Sequence, residues 1–196
     1  MFNSKRFFIF ISRGQFPNTF SASPASDCKI KESICYFGNY EWLILEKKNN
    51  KALLLAKDVV ALKPYNTTVD SVTWETSTLR AWLNNRFLNE FTSQEQAKIV
   101  LTTNVNPDNP SYGTAGGNNT IDLIFLLSIP EARRYFSDRW ARTAQYDDSE
   151  LAWWLRSPGD RDNDAALVDP DGDVDVNGLD VNYDDYGVRP ALWLNL

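Results

Sequence analysis

The chain of 196 residues is long enough for one domain with a substantial core, and its seven Trp, eleven Phe and eight Tyr supply large apolar area for that core. Its formal net charge of −6 argues against a nucleic-acid backbone or an anionic membrane surface as the partner. The sequence contains no histidine, which removes the usual general base and, with it, the Ser-His-Asp and Cys-His catalytic arrangements.

The N-terminal part of the chain carries weaker signals. Residues 1–10 hold two basic residues and an apolar run that is too short for a signal peptide, and we interpret them as a strand or a leader. Residues 1–35 are expected to form an irregular arm before a domain at 36–196. Cys28 and Cys35 can pair if the protein is secreted or remain free thiols, and the sequence leaves both states open.

We expect neither a cofactor nor a membrane span. Two cysteines without histidine argue against a zinc site. No stretch of the sequence approaches the ~20 consecutive apolar residues of a transmembrane helix.

The first half of the domain predicts a hairpin followed by a helix. Residues 40–46 and 52–57 have the composition of strands, and the turn residues 47–50 between them predict a β-hairpin. A helix is expected to begin at Ser77, because apolar residues then recur on one helical stripe. That stripe consists of Leu79, Trp82, Leu83 and Phe87.

Two capping boxes predict further helices. Thr92-Ser93-Gln94-Glu95 predicts a helix that runs to about Leu101, and Ser128-Ile129-Pro130-Glu131 predicts one that ends near Asp138. Between these helices we expect a long loop over residues 102–120, of a kind that is often functional or mobile. Residues 121–127 are predicted to form a buried strand.

The C-terminal part has two aromatic, apolar runs that we interpret as core strands. They span residues 153–159 and 187–193, and an Asp-, Asn- and Tyr-rich segment separates them. Valines at positions 174 and 176 alternate with aspartates, which predicts a strand with one buried face. Asp171-Gly172 and Asn177-Gly178 are dipeptides typical of hairpin turns.

The composition of this segment is biased in an unusual way. From Ser157 to Leu192 there are ten Asp but no Glu, Lys, Gln, Met or Trp, whereas the remaining chain has eight Asp and eight Glu. Solvated acidic surfaces normally mix both acids. An Asn codon that ends in a pyrimidine, when randomised at its two adenines, reaches every amino acid except those five. The bias therefore indicates adenine-directed mutagenesis of the gene.

Four motifs resemble one known family. They are Phe37-Gly38-Asn39-Tyr40-Glu41-Trp42, Ser77-Thr78-Leu79-Arg80-Ala81-Trp82-Leu83-Asn84, Trp153-Trp154-Leu155-Arg156-Ser157-Pro158-Gly159 and Gly187-Val188-Arg189-Pro190-Ala191-Leu192-Trp193-Leu194. Together they resemble the variable proteins of diversity-generating retroelements over about residues 36–196. The resemblance implies an α+β, C-type-lectin-like fold of the formylglycine-generating-enzyme branch, with short antiparallel strands and two to three helices. It also implies a place on a cell surface or a virion.

The resemblance implies a non-catalytic, ligand-binding display protein whose hypervariable region covers about residues 157–187. Tyr183 and Tyr186 are the best anchors, because tyrosine offers rigid amphipathic area at low entropy cost. The acidic excess predicts an unknown protein or surface ligand with a basic patch and salt-sensitive association. The expected contact residues, on one contiguous face, are Asp160, Arg161, Asp162, Asn163, Asp164, Asp169, Asp171, Asp173, Asp175, Asn177, Leu179, Asp180, Asn182, Tyr183, Asp184, Asp185 and Tyr186.

The alternative is a metal-binding or enzymatic module of the same fold that uses the aspartate cluster. Clustered carboxylates suit calcium, but an EF-hand counted from Asp169 would need Gly and Glu where Val174 and Asp180 stand. Two-carboxylate glycosidase chemistry is disfavoured because many exposed carboxylates are expected and no pocket is marked. The formylglycine-generating relatives use a late cysteine pair that this chain lacks. We therefore expect no catalysis.

Overall fold

The structure is a computed structural model that describes residues 29–31 and 33–196, with only the backbone described at 29–31. The expected N-terminal leader and Cys28 lie outside the described residues. Cys35 is buried and disulfide-bonded.

Fifteen short strands and three short α-helices make up the described chain, which is an α+β protein with mostly antiparallel sheets. The first strands are β1 (Lys29–Lys31), β2 (Ile34–Phe37), β3 (Tyr40–Lys48), β4 (Lys51–Ala56), β5 (Ala61–Leu62), β6 (Ile99–Val100), β7 (Thr102–Asn104) and β8 (Thr120–Asp122). The later strands are β9 (Gln145–Tyr146), β10 (Ser149–Glu150), β11 (Trp153–Pro158), β12 (Asp164–Val168), β13 (Val174–Asp180), β14 (Gly187–Val188) and β15 (Ala191–Asn195). The helices are α1 (Thr78–Trp82), α2 (Ser93–Gln96) and α3 (Ile129–Tyr135), with 3-10 turns at Trp74–Thr76, Leu88–Glu90 and Trp140–Arg142 and a π turn at Leu83–Phe87.

The larger sheet has six antiparallel strands in the order β1-β2-β3-β4-β15-β6. The predicted hairpin is confirmed as β3 and β4, joined by Asn49 and Asn50 with φ of 51° and 57°. Two consecutive left-handed residues are what a type I′ turn requires, and asparagine tolerates that conformation. Because β1 and β2 extend this sheet, ordered structure begins before residue 36, inside the expected arm.

The smaller sheet has five strands in the order β13-β12-β11-β14-β5. Its pairs are antiparallel except β11 with β14, which is parallel. Every residue of β11 and of β12 is buried, whereas β13 lies at the edge. The sheet therefore presents its outermost strand, with the aspartate-rich turns on either side, to the surroundings.

The predicted apolar stripe after Ser77 is confirmed. Ser77 caps α1 by accepting a hydrogen bond from the backbone N–H of Arg80 at 3.1 Å. Leu79, Leu83 and Phe87 are buried, while Trp82 is half-buried. The same side of the helix therefore faces the core through the change from α to π geometry.

Both capping boxes are confirmed, but both helices are shorter than predicted. The α2 helix ends at Gln96, because Ile99 and Val100 pair with β15 as β6. The α3 helix ends at Tyr135, ahead of the expected Asp138. Tertiary strand pairing thus overrides the helix-compatible sequence that follows α2.

The buried strand predicted over residues 121–127 is wrong. Only Thr120–Asp122 is a strand, and it forms a two-stranded ribbon with β7. The backbone N–H groups of Leu123 and Ile124 instead donate to the side chain of Asn84, at 2.9 and 3.2 Å. The first and last residues of the predicted 102–120 loop therefore belong to strands β7 and β8 of this ribbon. None of the helices among the described residues is long and apolar enough to cross a membrane.

Candidate functional site

Arg156 on β11 joins the first aromatic run to its surroundings. Its buried guanidinium donates to both carboxylate oxygens of Glu131, the capping residue of α3. It also donates to the side chain of Asn106 and to the carbonyls of Leu126 and Val105, at 2.7–3.1 Å. Although burial alone would raise it, the pKa of Glu131 is held below its usual value by Arg156 and by hydrogen bonds from Ser128.

Arg189 joins the second aromatic run to the first. Its guanidinium donates to the carbonyls of Ala56, Arg142 and Lys57, at 2.7–2.9 Å. It also lies 5.0 Å from the ring of Trp153. Burial lowers the pKa of this guanidinium. The two runs are therefore core strands as predicted, with the exception that Trp193 is half-exposed.

Two predicted anchor tyrosines rest on the buried Trp154. The ring of Tyr186 lies 5.0 Å from Trp154 and 6.2 Å from Tyr183, whose side chain is the outermost of the three. Burial and then the charges of Asp185, Asp169 and Asp175 raise the pKa of Tyr186. We call Tyr183, Tyr186, Asp169, Asp175 and Asp185 the tyrosine patch.

Asp169 is the first residue of the turn between β12 and β13. Partial burial and the charges of neighbouring carboxylates raise the pKa of Asp169. Gly172 in this turn has φ of 84°, and a Cβ there would lie 1.9 Å from the carbonyl oxygen of Arg139. The predicted Asp171-Gly172 turn is thus confirmed, and only glycine fits it.

Arg139 neutralises part of that turn. Its Nη1 lies 3.2 Å from Asp171 and 3.1 Å from Asp173, and its guanidinium stacks 4.4 Å from the ring of Trp140. Trp140 is 60% exposed. Within residues 33–196, no group of three or more Asp, Glu or Cys side chains is arranged to hold a metal ion. The sequence analysis did not identify Arg139 and Trp140. The available signal was an adjacent Arg-Trp pair in the polar connection between α3 and β11.

The other end of the segment holds a second group of charges, Asp160, Arg161, Asp164 and Asp180, which we call the Arg161 cluster. The Nε atom of Arg161 lies 2.7 Å from Asp164 Oδ2 and 3.5 Å from Asp160 Oδ1. Its Nη2 atom lies 3.7 Å from Asp180 Oδ1. One guanidinium thus faces three carboxylates.

Asp164 is a correction to the predicted contact residues, because it is only 2% exposed. It begins the buried strand β12, and its Cβ packs so closely on Gly159 that a Cβ on that glycine would lie 2.6 Å away. Its Oδ1 atom is buried without a hydrogen-bond partner in the described part of the chain. Burial and the neighbouring Asp160 carboxyl group raise the pKa of Asp164 to about 6, against the opposing effect of Arg161.

The strand register separates the two groups. Asp175 pairs with Leu167, whereas Asp180 pairs with Asp164. The register shifts between these two pairs, so the tyrosine patch and the Arg161 cluster lie at different positions along the β12–β13 pair. That the predicted contact residues share one contiguous face stays a prediction.

The remaining predicted residues lie at the periphery. Most of the polar positions are exposed, namely Asp160, Arg161, Asp162, Asp171, Asp173, Asn177, Asn182, Tyr183, Asp184 and Asp185. Half-buried positions are Asn163, Asp169, Asp175, Leu179, Asp180 and Tyr186. The small and β-branched residues between them are buried at Ala165, Ala166, Val168, Gly172, Val181 and Gly187, and half-buried at Val174, Val176 and Gly178.

The predicted Asn177-Gly178 turn is wrong, because both residues lie inside β13. Gly178 has φ of 72° and sits where the register between β12 and β13 shifts. A β-bulge accounts for the glycine, since an extra residue there needs left-handed backbone. The dipeptide signal was real, but it marks a bend within the strand.

The long loop at residues 105–119 is anchored to the Asp-, Asn- and Tyr-rich segment. The Asn109 side chain donates to the carbonyls of Pro158, Gly159 and Val176, at 2.9, 3.0 and 2.8 Å. Two other side chains of the loop also contact the segment. The Tyr112 hydroxyl donates a hydrogen bond to the side chain of Asn177, and the Thr114 hydroxyl donates one to the Asp160 carbonyl at 2.9 Å. Sequence reasoning marked the loop but none of these residues.

A comparison with models of protein families identifies a family for this chain. A family model described as a domain of unknown function (DUF6273) matches residues 49–196, which include both aromatic runs and the segment between them. Searches of curated proteins and of solved structures returned no match. Since the match extends over well more than half of the chain, the protein belongs to the DUF6273 family.

Proposed function

We propose that this protein is a non-catalytic, ligand-binding display protein with a C-type-lectin-like fold, similar to the variable proteins of diversity-generating retroelements. One observation carries the proposal. Within the segment, the Asp, Asn and Tyr residues are exposed or half-buried with the exception of Asp164, while the interspersed Gly, Ala and Val residues are buried or half-buried. Side-chain variation would therefore leave the core untouched.

The tyrosine patch supports a binding role. Tyr183 is 47% exposed, and it stands on Tyr186, which in turn packs on the buried Trp154. The Trp154 indole donates to the carbonyl of Lys63 at 2.9 Å, which fixes the ring below the patch. An exposed aromatic held from beneath loses little conformational entropy when a ligand covers it.

The charge of the surface indicates the kind of ligand. The segment has ten Asp, and two arginines, Arg139 and Arg161, neutralise part of this charge within the protein. The remaining carboxylates favour a protein or surface ligand with a basic patch. Association should then be steered electrostatically and should weaken with salt.

The DNA around the gene tests the diversification directly. We expect a near-copy of the sequence that encodes residues 157–187, differing only at adenines, beside a reverse-transcriptase gene. A gene neighbourhood with no such copy, or with differences at all four bases, would contradict adenine-directed mutagenesis.

Binding is tested by displaying the protein with Asp171, Asp173 and Asp184 randomised and Tyr183 kept, and selecting on a strongly basic protein. We expect folded binders whose affinity falls with added salt and is lost on Tyr183→Ala. A matched library randomised at the buried Val168 and Val181 serves as the control and should yield few folded clones. Equal yields from the two libraries would contradict the proposed division between surface and core.

A further inference from the structure

Asp164 presents an unusual combination of burial and incomplete hydrogen bonding. Its Oδ2 atom accepts from Arg161 Nε at 2.7 Å, but its Oδ1 atom is buried without a hydrogen-bond partner among the described residues. A buried carboxylate oxygen without a donor is costly, because the lost hydration is not replaced. A ligand atom that donates a hydrogen bond to Oδ1 would remove this cost.

The Arg161 guanidinium contacts these carboxylates. Because Arg161 is only three residues from Asp164 in the chain, it does not form a two-point ion pair with that carboxylate. It lies three residues from Asp164 and reaches it side-on, through Nε alone. In the described chain its Nη atoms donate no hydrogen bond, and Nη2 remains 3.7 Å from Asp180 Oδ1. A guanidinium that approaches from outside is free to present its planar pair of N–H groups to a carboxylate.

The two charged side chains beside Asp164 are partly exposed to solvent. The side chain of Arg161 is 63% exposed, and that of Asp160 is 40% exposed. The other groups that face the cluster are Asp180 and the side-chain amide of Asn163, which donates to Asp180 Oδ1 at 3.2 Å. Three aspartates against one arginine leave the cluster with excess negative charge.

We propose that the Arg161 cluster is a subsite for the guanidinium group of an arginine side chain on the ligand, and that Arg161 occupies this subsite in the free protein. The inference rests on the proposed binding function and narrows its ligand to a protein or peptide with an accessible arginine. Asp164 supplies the primary carboxylate, and Asp160 and Asp180 flank it. On binding, Arg161 swings out toward solvent and the ligand guanidinium takes its place.

A titration with N-ethylguanidinium, a mimic of the arginine side chain, tests the subsite without any knowledge of the natural ligand. The backbone amide shifts of Gly159 and Asp164 in the ¹⁵N-labelled full chain report binding. Because the internal arginine competes with the probe, we expect Arg161→Ala to bind it about fivefold more tightly than the parent. Near pH 5 the proton held by Asp164 competes as well, so binding should be weaker than near pH 7.5.

Control variants separate the subsite from general acidity. Asp164→Asn in the Arg161→Ala background should abolish the shifts, whereas Asp162→Asn, an exposed neighbour in the same loop, should preserve them. Ethylammonium should bind more weakly than ethylguanidinium, since it lacks the planar pair of donors. If Arg161→Ala does not fold, as judged from its NMR spectrum, Arg161→Gln replaces it with the same expectation.

Three results would overturn the subsite: no gain in affinity when Arg161 is replaced, no loss with Asp164→Asn, or equal binding of the two cations. None of them would affect the library selection, which depends on the tyrosine patch. A failed titration therefore refutes the arginine subsite alone, whereas a failed selection refutes the display function.

Discussion

Arg156 and Arg161 are five positions apart, yet they use the same chemical group in opposite ways. Arg156 is buried, makes five hydrogen bonds and forms a two-point ion pair with Glu131. Arg161 is mostly exposed and makes one hydrogen bond, to Asp164. A fully bonded buried guanidinium specifies one geometry, while a loosely held exposed one can exchange partners. Between them the chain passes from the buried strand β11 into the Asp-, Asn- and Tyr-rich segment.

The largest effect is expected from truncating the buried arginine. Arg156→Ala should cost about 3–5 kcal/mol of unfolding free energy, because it leaves the Glu131 carboxylate and two backbone carbonyls without their donor. Urea denaturation followed by tryptophan fluorescence measures the loss. Arg161→Ala is the matched comparison and should cost less, because it removes one hydrogen bond rather than five and because the buried Asp164 that loses this donor can take up a proton instead. Equal losses of unfolding free energy in both variants would contradict the different structural roles of Arg156 and Arg161.

A loss of similar size is expected from the core tryptophan beside Arg189. Trp153→Ala should cost about 3–5 kcal/mol, through lost burial and the cavity that remains. Calorimetry should then show a much lower melting temperature.

The polar positions of the segment provide the contrast with Trp153. A variant with Asp162, Asp173, Asp175 and Asp184 changed to Asn and Tyr183 to Ala should melt near or above the parent temperature, because exposed like charges are removed. Asp164 is kept, since its side chain is buried. If this variant proved as unstable as Trp153→Ala, the segment would be structural and the display function would fail.

An intermediate, pH-dependent effect is expected at Asp164. Its pKa of about 6 in the folded protein lies above that of an unfolded aspartate, so folding favours the protonated form. This contribution is fully present at pH values below the unfolded pKa and is lost as the pH rises through about 6. Asp164→Asn should therefore be more stable than the parent near pH 7.5, by an amount on the order of 1–3 kcal/mol, and similar to it near pH 4.

Chemical denaturation across that pH range measures the difference between Asp164→Asn and the parent. Asp162→Asn, in the same loop, is the control for removing an exposed charge. A constant difference for Asp164→Asn at all pH values would show that the pKa of Asp164 is the same in the folded and unfolded states.

The smallest effect is expected from calcium. Arg139 already lies between Asp171 and Asp173, so millimolar calcium should shift the melting temperature little. A tight site would add about 2.7 kcal/mol at a hundredfold excess over its dissociation constant, which calorimetry detects easily. A large shift that Asp171→Asn abolishes would instead favour a metal-binding module.

Local signals in the sequence predicted local structure well. The two Asn residues between β3 and β4, both capping boxes and the Asp171-Gly172 turn all depend on side chains within a few residues of one another. Their energetics are largely decided before the chain collapses, so the sequence alone suffices to identify them.

The errors arose where distant residues decide the outcome. After Asp122 the N–H groups of Leu123 and Ile124 bond Asn84, about forty positions earlier, and strand pairing is reduced to one bridge between Phe125 and Ala191. Asn177-Gly178 became a bulge because the register of β12 and β13 shifts there. The burial of Asp164 depends on its contact with Gly159 and on the strand that it begins. None of these partners can be read from the residues that flank each position.

Asn109 has a consequence for solubility. Sheet edges invite pairing with other chains, and natural proteins usually block them with charged side chains or prolines. Under the proposed display function, the side chains of the segment vary from copy to copy and cannot provide that protection. Asn109 lies outside the segment and donates to the Val176 carbonyl in the bulge of β13, together with the carbonyls of Pro158 and Gly159 at the end of β11. Because these acceptors are main-chain atoms, the contact at this edge does not depend on the side chains of the segment.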